Sequence, residues 1–181
     1  MGLTKFLLPL FLIISVTCFG DDYRKGYYIQ QQDTLRGFIK IDKQLKIVKF
    51  KESLSLPYPK LLEPHNISGF TIENIEIFIA LKTFKVGHHY RPIFIQMILK
   101  GYVTLYRGYF EDSAVFFVQK KDGDIRKIDR KYAKQFLSAY FSDCVELEDK
   151  IFSTKKKLVY SKSKMTELVS NYNRCQSHNT Q

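Results

Sequence analysis

Missing from this 181-residue chain are the usual signatures of chemistry. It holds no Gly-x-Ser-x-Gly elbow and no His-Glu-x-x-His helix, so neither an activated serine nor a zinc protease centre is written into it. Histidine is scarce. His88-His89 is the one adjacent pair, and neighbours on a strand point to opposite faces, so they cannot chelate as a unit. His65 beside prolines and His178 near the end have no evident partner. No metal, cofactor or catalytic residue is expected, and the balance leans against an enzyme. Tryptophan is absent altogether, and the Lys/Ile/Tyr-rich composition does not point to a source. A second long apolar run is lacking too. Ile75 to Leu81 is short and interrupted by Glu76, so no transmembrane span is expected after the first twenty residues.

Those first twenty residues are different. Lys5 precedes the apolar run Phe6 to Ile14, and small residues follow before the chain turns polar at Asp21-Asp22. This three-part pattern predicts a secretory signal peptide over 1–20, cleaved after Gly20 with Cys18 and Gly20 at the −3 and −1 positions. It is too short for a membrane span, which needs ~20 apolar residues. A lipid-modified Cys18 is the alternative, but Ser15-Val16-Thr17 is a poor lipobox. The expectation is an exported protein, periplasmic or extracellular.

Acidic residues are outnumbered. After loss of the leader the chain would keep 28 of its 29 Lys and Arg against all 18 Asp and Glu, a net charge of +10 over one domain's length. Outside the cytoplasm such charge favours lipid headgroups, acidic glycans or an acidic protein, with no nucleic acid expected. The densest cluster is Lys155-Lys156-Lys157 with Lys162 and Lys164, a candidate patch for an anionic partner; a solvated face is the plainer reading.

Cys144 and Cys175 remain once Cys18 leaves, and two cysteines in an oxidising compartment have one intramolecular pairing open to them. Free buried thiols or a metal pair are the rival readings, but no histidine or carboxylate stands at ligand spacing. A Cys144–Cys175 disulfide is expected, worth ~3–4 kcal/mol in the chain-entropy model.

From Tyr27 to Ile128 the pattern is that of strands. Runs at Gly26–Gln31, Thr34–Ile41 and Leu45–Lys51 predict a meander, with a turn at Gln32-Asp33. Three of the five prolines fall in 57–64, which reads as a loop or an edge. One or two strands follow in Ser68–Leu81. Then come Phe94–Leu99 and Tyr102–Tyr106 around Lys100-Gly101, where glycine is expected to supply a positive φ. Val115–Lys120 and Asp124–Ile128 flank a turn at Asp122-Gly123. The alternation of Tyr and Phe with Lys and Arg over 102–110 fits a strand better than a stacking surface.

After Asp129, a candidate N-cap, the period becomes helical. Tyr132, Phe136, Leu137 and Tyr140 share one face. Asp143 and Glu146 form a capping-box pattern before a short helix carrying Cys144, Leu147 and Ile151. Ser161 or Ser163 opens a longer helix with Met165, Leu168, Val169, Tyr172 and Cys175 on its stripe. The polar tail 176–181 is expected to fray. The whole predicts an α+β domain over 21–175: six to nine mostly antiparallel strands in a curled sheet or partly open barrel, then two or three helices in 129–175. A sandwich with helices at one end is the alternative.

An ordered series of pieces resembles a group of exported proteins of unknown function common in Bacteroidota. The series runs Gly26-Tyr27-Tyr28-Ile29, Asp33-Thr34-Leu35-Arg36-Gly37-Phe38-Ile39, Ile67-Ser68-Gly69-Phe70, Leu99-Lys100-Gly101-Tyr102-Val103-Thr104-Leu105-Tyr106, Phe117-Val118-Gln119-Lys120-Lys121-Asp122-Gly123, Ser142-Asp143-Cys144 and Tyr172-Asn173-Arg174-Cys175. The resemblance implies an exported, β-rich envelope protein and carries no catalytic residues. Val145 departs from it, where that group often has proline.

Three functional classes remain at this level. The leading one is a non-enzymatic module that binds an envelope protein or an anionic surface component through its sheet or its basic C-terminal helices. The second is a hydrolase with an acidic pair, drawn from Glu111-Asp112, Asp122 with Asp124, or Glu146 with Glu148 and Asp149, assembled by the fold. The third is a carrier of a lipophilic ligand inside a curled sheet.

Overall fold

The computed structural model describes residues 22–86, 89–147, 151 and 160–178. The expected leader, His88, Lys155-Lys156-Lys157, Glu148, Asp149 and the last three residues lie outside the described residues. One antiparallel sheet of ten strands dominates, α+β as expected but with more strands than the sequence pattern gave. The strands are β1 Arg24–Gln30, β2 Asp33–Ile41, β3 Val48–Lys51, β4 Lys60–Leu62, β5 Gly69–Ile72, β6 Glu76–Val86, β7 His89–Leu99, β8 Val103–Phe110, β9 Ser113–Lys120 and β10 Arg126–Ile128. Their spatial order is β10-β9-β8-β7-β6-β5-β1-β2-β3-β4, so the sheet is open rather than a closed barrel. The edges, β4 and β10, are three residues each, which leaves little unpaired backbone to recruit another chain.

Two meanders are joined by β5, which pairs with β1 on one side and β6 on the other. β6 and β7 are eleven residues each and extend well beyond the apolar runs that marked them. Pairing slips between Leu81↔Ile93 and Phe84↔Arg91, so Lys82 and Thr83 oppose Pro92 alone. A proline without a ladder donor is tolerated at such a bulge. The bulge broke the alternation there and hid the strand. Beyond it Phe84 packs edge-on against Phe117 and Phe110, at 5.6 and 6.0 Å between centroids.

The turns differ in detail from expectation. The first hairpin closes at Gln30↔Asp33, so its loop is Gln31-Gln32, with Gln31 at φ 56°, one residue earlier than expected. Glu111 and Asp112 both have positive φ in a two-residue loop closed by Phe110↔Ser113, the pattern whose twist suits a hairpin. At Gly101 the φ is not positive. Glycine is needed for space, because a Cβ would collide with the Asn173 side chain. Asn173 bonds the Val103 backbone like a strand residue: Val103 N–H donates to its Oδ1 at 2.7 Å and its Nδ2 donates to the Val103 carbonyl at 2.9 Å.

Two helices carry the C-terminal cover, α1 Ala133–Tyr140 and α2 Lys162–His178, with a short helical segment over 145–147 between them. Asp129 is not the N-cap of α1. Tyr132 holds that place, and the Asp129 carboxylate accepts from Lys131 N–H one turn earlier. Ser161 rather than Ser163 opens α2, its carbonyl accepting from Met165 N–H at 3.0 Å. α2 continues past Cys175, where the apolar pattern stops, to His178.

Sheet pairing defines two faces. One row of directly paired residues runs Leu35, Tyr28, Phe70, Phe78, Gln96, Arg107, Phe116, Ile128 across eight strands. On this inner face, β8 to β10 pack Leu105, Phe116, Val118 and Ile128 against Leu137, Phe141, Leu168 and Tyr172 of the helical cover. At the other end Tyr28, Ile39, Phe50, Phe70, Phe78 and Phe94 form a second core. There the sheet rolls until the β2–β3 loop meets the β8–β9 turn, with Lys46 Nζ 2.6 Å from Asp112 Oδ1. Burial of this apolar surface, at roughly 25 cal/mol per Å², is what holds the open sheet in its rolled form. A third, smaller core of Phe84, Ile95, Tyr106 and Phe117 lies on the opposite face of β6 to β9.

Candidate functional site: an open basic face on β1–β3

Strand alternation sends Tyr28, Ile39, Val48 and Phe50 inward, so their neighbours must point out. The outward residues are Lys25, Tyr27 and Ile29 on β1, Thr34, Arg36, Phe38 and Lys40 on β2, and Lys49 and Lys51 on β3. Five are cations. The only acid in these three strands, Asp33, falls on the inner phase with Leu35. Lys40 and Lys49 are direct partners in the ladder, and Lys51 pairs with Phe38, which pairs with Lys25. Like charges directly opposite each other destabilise a sheet by themselves.

Aromatic rings lie among the cations. Lys51 Nζ and Lys40 Nζ lie 5.1 and 5.7 Å from the Tyr23 ring centroid, and Arg36 Cζ is 5.7 Å from that of Tyr27. A cation over an aromatic face is attracted by the ring quadrupole. Ile29, Leu61 and Ile77 add exposed apolar area nearby. A hollow of about 310 Å³ runs along Lys25, Tyr27, Arg36 and Phe38. Glu73 at its rim is 3.7 Å from Arg24, whose guanidinium also grips Glu76 and is thereby pushed to a higher pKa.

The lysine cluster named from the sequence is distributed differently. Lys155, Lys156 and Lys157 fall outside the described residues. Lys162 is exposed at the start of α2, and Lys164 is 2.9 Å from Glu167. The basic face on β1–β3 was not recognised as a unit in the sequence. Its signal is the two-residue spacing of Arg36, Phe38 and Lys40 and of Lys49 and Lys51, readable once the strands are placed.

Other candidate chemistry is dispersed among the described residues. Glu111 and Asp112 are hairpin-turn residues, and Lys46 holds the Asp112 carboxyl below its usual range by a hydrogen bond. Asp122 and Asp124 sit in the β9–β10 loop, with Asp122 at φ 62°. Glu146 is exposed. Asp143 does not cap a helix with Glu146. Both its oxygens accept from Tyr172 Oη, at 2.7 and 2.9 Å, and Lys120 Nζ is 3.3 Å away. Lys120 lies between the Tyr140 and Tyr172 rings, at 5.2 and 5.4 Å. His65 pairs with Glu63 at 3.3 Å, and His89 opens β7 opposite Val86. Among the described residues no group of three metal-ligating side chains gathers, and no helix is long and apolar enough to cross a membrane.

Cys144 and Cys175 stand at disulfide distance, their Cα atoms 6.3 Å apart, within the range a bridge requires. The pair ties the end of the α1 region to α2 beside the Tyr172–Asp143 contact. It fixes the helical cover and lies apart from the basic face. Compared with protein-family models, with curated proteins and with solved structures, the chain matches none.

Proposed function

We propose that this protein is a non-enzymatic binding module that takes an anionic partner on the outer face of β1–β3. The observation that carries the reading is the phase of the charges. Lys25, Arg36, Lys40, Lys49 and Lys51 share one face with no acid from their own strands, and Lys40 opposes Lys49 directly. Interleaved Tyr23, Tyr27 and Phe38 would add contact area to an electrostatically steered encounter. The buried apolar cores favour binding at a surface over a carrier's enclosed cavity, and the separate turns that hold Glu111-Asp112 and Asp122 with Asp124 favour it over a hydrolase built on those described acids. On this reading the chain is exported after loss of residues 1–20, like the Bacteroidota group it resembles, and its partner is an anionic surface component or acidic protein of the envelope.

The test is a pull-down from envelope extract with residues 21–181 at low and moderate salt. The proposal expects a partner captured at low salt, weakened at moderate salt, and lost when Lys40 and Lys49 are changed to Glu. Capture unchanged by those substitutions would place the binding elsewhere. A protein that captures nothing at either salt but hydrolyses a glycan or ester panel would overturn it.

A further inference from the structure

On the inner face, the row from Leu35 to Ile128 is apolar at every position except two neighbours in its middle, Gln96 on β7 and Arg107 on β8. They occupy the seam between the two inner-face cores. An aliphatic pair there would fuse the cores, whereas an arginine half-removed from water costs stability unless its donors are met. They are met only in part. Arg107 Nη2 donates to Gln96 Oε1 at 3.1 Å, and Cζ lies 5.3 Å from the Tyr109 ring centroid. Its Nε is buried without a hydrogen-bond partner. No carboxylate among the described residues pairs with it. Two acids line the hollow beside it and are engaged elsewhere: Glu76 with Arg24, and Asp42 with the backbone N–H of Lys46 at 2.7 Å.

Arg107 and Gln96 line a hollow of about 250 Å³ between the sheet and the β2–β3 loop. Lys43 brings a second cation, Asp42 and Glu76 also line it but are bound to Lys46 N–H and Arg24, and Ile41, Leu45, Phe78 and Tyr109 supply apolar wall. That is smaller than the roughly 300–1,000 Å³ of a drug-sized site. We infer that this hollow is a binding site for a small organic carboxylate with an apolar body. The carboxylate would be held by the Arg107 guanidinium with Lys43 beside it, and the body would lie against Phe78 and Leu45. A planar fork of N–H donors matches a carboxylate two-to-two, and Gln96 holds one arm of the fork through Nη2. The inference is independent of the outer basic face, which lies on the other side of the sheet.

Saturation-transfer NMR on residues 21–181 tests it with benzoate and hexanoate as probes and benzyl alcohol as the uncharged control. The expected result is transfer to both carboxylates and none to the alcohol. Arg107→Met should weaken binding about tenfold or more, a loss of one directed ionic contact. Lys43→Gln, an exposed loop change that leaves the fold alone, should weaken it a few-fold, which guards against misfolding of the Arg107 variant. Absence of transfer to benzoate at millimolar concentration would overturn the site, as would equal transfer in wild type and both variants. Displacement of benzoate by equimolar inorganic phosphate would overturn the carboxylate assignment.

Discussion

Lys40 on β2 and Lys49 on β3 face each other directly across an antiparallel ladder on the open side of the sheet. A cross-strand pair of like charges weakens the fold it belongs to, by a few tenths of a kcal/mol up to about 1. Lys49→Glu should therefore stabilise the isolated protein by about 0.2–1 kcal/mol, since it turns repulsion into attraction. Urea unfolding at low salt measures this, and the gain should shrink as salt screens the pair. An exposed lysine remote from the face, changed as Lys100→Glu, should give no comparable gain.

Asn173 substitutes for a strand at the end of β8. Its amide both accepts from and donates to the backbone of Val103, a residue with no exposed surface. Asn173→Ala would leave a buried N–H and C=O unmet, costing about 1–3 kcal/mol. Asn173→Asp keeps the acceptor and loses the donor, so it should not restore wild-type stability. Gly101→Ala should destabilise through the same contact, since the added methyl meets the Asn173 amide. Denaturant midpoints for the three variants check the set.

Tyr172 is fully buried, and burial, then its hydrogen bond and proximity to Asp143, push its phenol far above the ordinary range. Tyr106, Tyr140 and Tyr160 are raised in the same direction, burial being the first cause in each. A raised acid is more readily ionised in the unfolded chain. The stabilisation is complete below the unfolded phenol value of about 10 and is lost as pH climbs above it. Stability set by these groups should be level through neutral pH and fall above about pH 10. Tyr172→Phe should cost about 1 kcal/mol at neutral pH and flatten part of the alkaline fall. Chemical unfolding at pH 7 and pH 10.5 separates the two effects.

Cys144 and Cys175 close a loop of 31 residues around the helical cover. Reduction, or Cys144→Ser with Cys175→Ser, should lower stability by about 3–4 kcal/mol. Thermal melts with and without reductant read the loss. Mass mapping of protein isolated without reductant should find no free thiol at either position.

The alternation of residues such as Ile39, Val48 and Phe50 made most strands legible, and so did the helical stripe from Met165 to Cys175. What escaped the sequence was whatever depended on a distant partner. Pro92 hid the length of β7 because its bulge is defined by Lys82 and Thr83 on another strand. Lys60–Leu62 is too short to show a period and is a strand only through its pairing with β3. Gly101 read as a turn glycine, but its reason is Asn173, seventy-two positions away. The basic face needed only the phase of three strands, so its parts were visible and their union was not. Arg107 was out of reach, because its place between two cores depends on register across eight strands.

The most direct test of the central claim separates the face from the net charge. Two triple variants of residues 21–181 would be compared with wild type on a polyanion column eluted by salt. One carries Lys25→Gln, Lys40→Gln and Lys49→Gln. The other carries Lys100→Gln, Lys121→Gln and Arg130→Gln, the same loss of charge at exposed positions off this face. The account predicts that the first variant elutes at clearly lower salt than wild type and the second close to wild type. Equal shifts in the two variants would contradict it, and would reduce the basic face to its share of the overall charge.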